Sequence, residues 1–312
     1  MFAANTKKSY RTHHRTYESF CRMLDLPLVP ASTNNLCLYA AFLARFLLPQ
    51  SVYIYIHYVG ILHLEHDFLN PLSNNWVLKS VLKGIRRVFG VPACPRLPIT
   101  IDLLFGIRAR LNLNCSKHAS FWAICLTMFF GFFRKSHLLV ESSIKFNALQ
   151  QFSRADFTRD AFGYILTVRW SKTIQMGQRI VKIPLIPFSC RQLCPVVAIS
   201  HAFFLSPATP PGSQAFCYQE NSSRVLCFTY KAFMDLLQNI LCKLGATPSS
   251  FGTHSFRRGG ASFALEAGVP LDVISIMGDW KSDAVYLYLH LPVSQRVSAQ
   301  QKLATYLSSH FP

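Results

Sequence analysis

The segment from residue 252 to residue 288 concentrates side chains that could act on a phosphodiester. His254 and Arg257 are three residues apart, so on a helix they lie on one face and can converge on a single anion. Trp280 follows a Gly-Asp pair at a predicted helix end, and Tyr288 comes later in an apolar run. Two turns would bring cationic donors and a nucleophilic hydroxyl together. Each half alone also fits a structural interpretation, a surface His-Arg pair and core tyrosines.

Another arginine follows the most apolar stretch of the chain. Residues 121–133 read FWAICLTMFFGFF and lead into Arg134. A bilayer takes about 20 residues, so this run is too short to span one and predicts a buried helix that ends on Arg134. An arginine at this position must either bind an anion or extend its charged group to solvent, and the sequence fits both alternatives.

Two strands and a turn are predicted around Met176-Gly177. Lys172 falls near this turn. Lys135, Arg169 and Lys182 are alternatives for any role that needs a cation there.

In this order and spacing, the segments resemble the tyrosine recombinase (phage integrase) family, particularly the eukaryotic mobile-element branch of DIRS-type and Crypton enzymes. That family has an arginine on a helix, a lysine on a β-hairpin, a His-x-x-Arg box, a Gly-x-Trp or Gly-His element and then the nucleophilic tyrosine. The resemblance implies a mainly α fold with a small β-sheet. It places a helical core-binding domain at residues 1–92 and a mixed α+β catalytic domain at residues 99–312.

The resemblance also implies DNA cleavage and rejoining by Tyr288, which would attack the scissile phosphate and leave a 3′-phosphotyrosyl bond and a free 5′-hydroxyl. Arg134 and Arg257 would hold the two non-bridging oxygens, because a planar guanidinium gives paired, charge-assisted hydrogen bonds to phosphate. No metal or other cofactor is implied, because these two cations stabilise the charge of the transition state.

Three further residues have implied roles at the same phosphate. His254 would donate to it or help accept the tyrosine proton, and Trp280 would donate its indole N–H. Lys172 would protonate the departing 5′-oxygen.

The chain departs from the family pattern at two places. The third position after the first arginine is often acidic in the family and here is His137, so the orientation of Arg134 must rely on another group. The interval from Trp280 to Tyr288 is one residue shorter than in the bacterial Xer type, which leaves Tyr286 as an alternative nucleophile. Two residues apart on a helix, the tyrosines point about 200° apart, so only one faces the site. Tyr288 is preferred because Tyr-Leu-His resembles the family's Tyr-x-His ending.

Charge indicates double-stranded DNA as the partner. The chain has 32 Lys and Arg against 14 Asp and Glu, a net charge of +18, which favours a polyanion through counterion release. Residues 1–96 hold 11 basic and 4 acidic side chains (+7), and the rest hold 21 and 10 (+11). Because both parts of the chain carry a positive net charge, the sequence favours two domains that bind one duplex over a single basic tail.

The proline-rich stretch 90–98 marks the predicted linker. The helices predicted before it are Thr6–Leu24, Thr33–Leu48, Ser51–Leu64 and Asn75–Phe89. Those predicted after it are Ile101–Leu111, Lys117–Phe133, Leu193–Phe204, one capped by Thr229 that stops at Gly245, Leu271–Met277 and Val293–Leu307. The basic end of the fourth helix, Arg86-Arg87, fits either a contact with the DNA backbone or an ordinary solvated helix end.

Cysteine usage argues against a metal site. The ten cysteines include no Cys-x-x-Cys pair, and the one metal-like trio, Cys190, Cys194 and His201, lacks a local fourth ligand. No secretory signal or transmembrane segment is visible, so no membrane partner is expected. The resemblance implies a homotetramer on DNA and a nuclear location.

Other functions fit parts of the sequence. A domesticated DNA-binding protein without strand transfer would keep the basic surfaces. A type IB topoisomerase uses similar chemistry but would relax supercoils without sequence preference, and the separate helical amino-terminal domain resembles integrases more. A structural partner for membranes or acidic proteins would explain the charge and none of the motifs.

Overall fold

The chain forms two compact units, Met1–Cys94 and Pro95–Pro312. The structure, a computed structural model, describes residues 4–90, 96–142, 145–171, 174, 179–207, 209–221, 224–289, 297, 300, 301, 304, 305 and 309. The division falls inside the proline-rich stretch that the sequence marks as the linker. The DNA-binding and catalytic roles assigned to the two parts stay predictions.

The described part of the first unit is helical. Its helices are α1 Ala4–Met23, α2 Thr33–Ala44, α3 Pro49–Glu65 and α4 Trp76–Phe89. Ser32 caps α2 by accepting a hydrogen bond from the Asn35 amide, as the sequence allows, and Asn75 caps α4 in the same way. Three predicted limits were wrong by two residues or more: α1 begins at Ala4 rather than Thr6, α2 stops at Ala44 rather than Leu48, and α3 begins on Pro49 rather than Ser51. Proline suits the first turn of a helix, where its missing N–H has no partner to lose.

The core of the first unit gathers aromatic and aliphatic side chains from all four helices, including Tyr17, Leu36, Tyr39, Val59 and Leu82. Buried His63 connects two segments: its Nδ1–H donates to the Val59 carbonyl and its Nε2 accepts from the Ala31 amide, each at 2.7 Å. Those two bonds define a neutral ring, so the core carries no charge there.

The second unit mixes helices with two small sheets in the part that the structure describes. Its helices are α5 Ile101–Ala109, α6 Ser116–Phe130, α7 Lys135–Leu138, α8 Pro195–Phe204, α9 Tyr230–Lys243, α10 Thr253–Glu266 and α11 Leu271–Met277. Its strands are β1 Phe157–Asp160, β2 Gly163–Val168, β3 Val181–Leu185, β4 Cys217–Asn221 and β5 Arg224–Cys227. The first three form an antiparallel sheet in the order β1-β2-β3, and the last two form a hairpin. The predicted mainly α fold with a small β-sheet is confirmed.

The hairpin around residue 177 was predicted as two strands, and these are β2 and β3, with Thr167 opposite Lys182. The sequence missed β1, β4 and β5, which have only four or five residues each, too few to show a strand pattern. Thr229 caps α9 as predicted, accepting from the Ala232 amide. The predicted helix Val293–Leu307 falls mostly outside the described residues.

Helix α6 forms the centre of the second unit. Its residues from Ala119 to Phe129 are buried throughout, so its apolar run serves the core, as predicted. Helix α10 crosses it with Gly259 and Gly260 in the contact. A Cβ on Gly260 would overlap the carbonyl oxygen of Phe129, so only glycine lets the two backbones come this close. This approach places the middle of α10 beside the end of α6.

Among the described residues, no helix is both long enough and apolar enough to cross a membrane.

Candidate active site

Arg257 lies in the first half of α10 and is almost wholly buried, with 1% of its surface exposed. Its Nη1 donates to the carbonyl of Phe132 and its Nη2 donates to the carbonyl of Gly278. The guanidinium carbon also lies 3.7 Å from the centroid of the Trp280 ring, a cation–π contact. Arg257 thus joins the turn after α6 to the turn after α11, and it is not the surface residue that the structural interpretation allowed.

Arg134 follows a sharp turn and not, as predicted, the end of the apolar helix. Helix α6 stops at Phe130, and Phe132 has a left-handed backbone with φ of 52°. Arg134 then precedes the short helix α7. Its Nη2 donates to the carbonyl of Asp279 at 3.3 Å, and its Nη1 lies 3.7 Å from the Asp279 carboxylate. The turn therefore directs Arg134 toward the same segment that Arg257 contacts.

Asp279 is the residue that sequence reasoning missed. It is 7% exposed, and its carboxylate accepts hydrogen bonds from Ser171 Oγ and Arg179 Nη2. It lies between Gly278 and Trp280 and has φ of 51°, so in the sequence it looks like an ordinary turn residue. The available signal was indirect: His137 stands where an acid would be expected, so Arg134 needed a carboxylate from elsewhere.

Tyr288 directly follows a 3-10 helix, Ser282–Leu287. Its ring centroid is 5.2 Å from that of Trp280, and the Arg257 guanidinium carbon is 5.3 Å from it. Tyr286 is 59% exposed. A 3-10 helix turns 120° per residue, so two residues still separate the tyrosine directions widely. Of the two, only Tyr288 joins the cluster.

His254 lies in the first turn of α10, with its ring centroid 6.1 Å from that of Tyr288. His254 is partly exposed to solvent. Partial burial lowers the pKa of His254, and the cations Arg257, Arg134 and Lys135 lower it further. At neutral pH the imidazole is therefore uncharged, with one nitrogen free to accept a proton.

Burial, and then the charge of Arg134, lowers the pKa of Arg257 to about 9, while Tyr288 and Asp279 oppose this shift. The guanidinium therefore stays protonated at neutral pH. The pKa of buried His137 falls to about 3, because of burial first and then the charges of Arg134 and Arg257. His137 is therefore neutral, and the site's positive charge rests on its arginines.

Several hydrogen-bond donors of the cluster are buried without a partner within the part of the chain that the structure describes. These are Arg257 Nε, Trp280 Nε1 and Arg134 Nη1, the last of which lies 3.7 Å from the Asp279 carboxylate without a hydrogen bond to it. Buried donors of folded proteins are normally paired, so donors left over at one place suit an acceptor that arrives with a ligand. The cationic partners make an anion with several oxygens the best match.

The structure brings together five of the six predicted site residues: Arg134, His254, Arg257, Trp280 and Tyr288. Lys172 lies outside the described residues, so its prediction stays open. Of its alternatives, Arg169 pairs with buried Asp156, and Lys135 lies with its Nζ 3.8 Å from the centroid of the Tyr230 ring. Lys182 is exposed on β3.

Two members of the metal-like trio, Cys194 and His201, make other contacts. His201 Nε2 donates to the Leu113 carbonyl at 2.9 Å, and Cys194 Sγ accepts from the Phe188 amide at 3.3 Å. Across the described ranges, no group of three or more His, Cys, Asp or Glu side chains could hold a metal ion.

Comparison with solved structures identifies the fold. The Tn1549 transposon integrase in complex with transposon right end DNA aligns over 97% of this chain and 95% of its own, with a TM-score of 0.62 and 13% identity. The XerH site-specific recombinase bound to palindromic difH substrate, in a post-cleavage complex, aligns over 91% of this chain and 75% of its own, with a TM-score of 0.54 and 13% identity.

The chain therefore has the fold of the tyrosine recombinases. No family model and no curated protein matches the sequence. The identities are low, so the likeness concerns the fold, and the chemistry must be argued from the site.

Proposed function

We propose that this protein is a site-specific DNA recombinase that cleaves and rejoins DNA through a 3′-phosphotyrosine. One observation carries the proposal. The Tyr288 ring packs against Trp280 and near His254, 5.3 Å from the guanidinium carbon of Arg257, in a chain with the tyrosine recombinase fold. A nucleophile beside a buried cation is the arrangement that phosphoryl transfer to tyrosine requires.

In the proposed reaction the Tyr288 hydroxyl oxygen attacks phosphorus, and the bond to the 5′-oxygen breaks. Arg134 and Arg257 bind the non-bridging oxygens and stabilise the charge that grows on them. Neutral His254 accepts the tyrosine proton, which its lowered pKa permits at neutral pH. The reverse attack by a 5′-hydroxyl regenerates the tyrosine, so rejoining needs no nucleotide cofactor.

The remaining roles follow from the same chemistry. Trp280 donates its buried indole N–H, which has no partner among the described residues, to a phosphate oxygen. Lys172 protonates the leaving 5′-oxygen. No metal is required, because the two arginines supply the positive charge.

Double-stranded DNA is the proposed partner, supported by the net charge of +18. The aligned integrase structure is a complex with transposon right end DNA, and the aligned XerH structure is bound to its palindromic difH substrate. Assembly as a homotetramer on DNA, an origin in a eukaryotic mobile element and a nuclear location are parts of the same proposal, and they rest on the resemblance of the sequence motifs.

A nicked suicide substrate tests the proposal. Duplexes selected for binding from a random pool are nicked close to the bound site, so that cleavage releases a short fragment and traps the covalent adduct. The wild-type protein should give an adduct that survives detergent. Tyr288→Phe should abolish the adduct and leave DNA affinity within about twofold, because only the nucleophilic oxygen is removed.

Tyr286→Phe is the matched control and should keep wild-type cleavage. An adduct that persists in Tyr288→Phe and disappears in Tyr286→Phe would transfer the nucleophile to Tyr286. Tight DNA binding with no adduct from the wild type would favour a DNA-binding protein that lacks strand transfer.

A further inference from the structure

Two consecutive carbonyl groups bind the two arginines of the candidate site. The carbonyl of Gly278 accepts from Arg257 Nη2, and the carbonyl of Asp279 accepts from Arg134 Nη2 at 3.3 Å. Successive carbonyls are joined through one residue, so any movement of this turn shifts both guanidinium groups. The turn therefore sets the spacing between the two cations.

The side chain of Asp279 adds charge to this contact. Its carboxylate lies 3.7 Å from Arg134 Nη1 and is 8% exposed, which limits screening by water. Arg134 itself is 17% exposed. His137, one turn away on α7, is neutral and packs its ring against Phe133 and Phe152. Among the described residues, Asp279 is the acid that forms an ion pair with Arg134.

Other contacts hold the carboxylate itself in place. Ser171 Oγ donates to Oδ2, and Arg179 Nη2 donates to Oδ1. A carboxylate has about four acceptor positions, so it can keep these bonds and still face Arg134. Ser171 and Arg179 thereby fix a carboxylate that in turn faces Arg134.

We propose that Asp279 is a positioning residue, which orients the Arg134 guanidinium beside Arg257 so that both can bind one phosphate. This inference rests on the proposed function, and it assigns to Asp279 no contact with DNA. The alternative is a purely structural role, called the anchor role below. In that role Asp279 holds Ser171 and Arg179 against the turn, and its contact with Arg134 has no effect on cleavage.

Asp279→Asn is the test substitution. It keeps the size of the side chain, and asparagine tolerates the left-handed φ of 51° at this position, so the turn should survive. Thermal unfolding checks that it does. The substitution removes the negative charge that faces Arg134.

The first measurement is independent of cleavage. In protein labelled with ¹⁵N-arginine, the Nη signals of Arg134, assigned by their loss in Arg134→Lys, should be separate in the wild type because the ion pair slows rotation of the guanidinium. In Asp279→Asn they should merge. Unchanged Arg134 signals in Asp279→Asn would overturn the proposal.

The second measurement is a double-mutant cycle on the rate of adduct formation. Asp279→Asn should slow cleavage about 100-fold in the wild-type background and less than about threefold in the Arg134→Lys background. In Arg134→Lys the guanidinium that Asp279 orients is already absent, so removing the carboxylate has little further effect on the rate. DNA affinity should change less than about threefold. An equal loss in both backgrounds would identify an anchor and overturn the proposal.

Arg179→Gln is the matched control, since it removes a partner of Asp279 and keeps the carboxylate. It should slow cleavage less than Asp279→Asn does, and a larger loss in Arg179→Gln would also favour the anchor. Failure of the proposed function gives a different result. The wild type would form no adduct, while the Arg134 signals could still show the ion pair with Asp279. That ion pair would then have no role in cleavage.

Discussion

At the scale of single residues, the site depends on how Arg257 is held. Its two terminal nitrogens are both engaged by carbonyl oxygens, and its face lies on Trp280. Lysine offers one compact ammonium on a flexible stem, so it cannot reproduce a planar fork or the stacking. The identity of this residue therefore matters more than its charge.

Arg257→Lys should accordingly reduce the rate of adduct formation by about 100-fold or more. The measurement is single-turnover cleavage of the nicked duplex at saturating protein. Arg258→Lys, at the neighbouring position on α10, is the control and should cleave within a few-fold of the wild type. Near-native cleavage by Arg257→Lys would show that the reaction does not need the Arg257 guanidinium to bind the phosphate.

At the scale of elements, the crossing of α10 over α6 positions the site. Arg257 can reach the Phe132 carbonyl because Gly260, one turn later on the same helix, lets the α10 backbone approach Phe129. A side chain at this crossing would push the part of α10 that carries Arg257 away from the turn at Phe132. The contact between α6 and α10 therefore affects both the stability of the second unit and the position of Arg257 in the site.

We expect Gly260→Ala to destabilise the second unit by about 1–3 kcal/mol, the usual cost of overpacking, and to slow cleavage as well. Gly84→Ala is the matched control on α4, where a Cβ meets nothing within 4 Å. That change should stabilise by about 0.5–1 kcal/mol, since glycine inside a helix is unfavourable. Chemical denaturation measures both values, and an unchanged stability in Gly260→Ala would show that the crossing can relax.

At the scale of the whole molecule, charge governs the proposed binding to DNA. Helix α4 carries four basic side chains at helical spacing, all of them exposed: Lys79, Lys83, Arg86 and Arg87. The opposite face of the helix buries Leu78, Leu82 and Ile85. The amphipathic helix therefore presents a basic stripe to solvent, in the unit that the sequence assigns to DNA binding.

Replacing Lys83 and Arg87 together by glutamine should weaken DNA binding and flatten its salt dependence. If both contact phosphates, the slope of log K against log salt should fall in magnitude by about 1.8, at about 0.9 for each contact. Fluorescence anisotropy across a salt series gives the slope. Lys231→Gln, which removes a lysine already paired with Asp235, is the control and should leave the slope unchanged. An unchanged slope in the double variant would place the DNA elsewhere.

Much of this protein could be predicted from the order of its residues. Capping residues and apolar periodicity act over a few neighbouring positions, so most helices were located, including α11 with its limits correct. The His254–Arg257 spacing is equally local, because helix geometry alone puts both residues on one face. Errors appeared where local signals conflict, as at the end of α6, where apolar residues continue past the turn at Gly131 and Phe132.

The tertiary structure alone decided which distant groups meet. Asp279 accepts from Ser171, which is 108 positions away, and Arg257 donates to Phe132, 125 positions away. No local pattern encodes such pairings, because they arise from the packing of α10 on α6 and of the turn after α11 on both. Local chemistry in the sequence determined the elements and the candidate residues, and long-range packing decided that an aspartate, outside every predicted role, would face the first arginine.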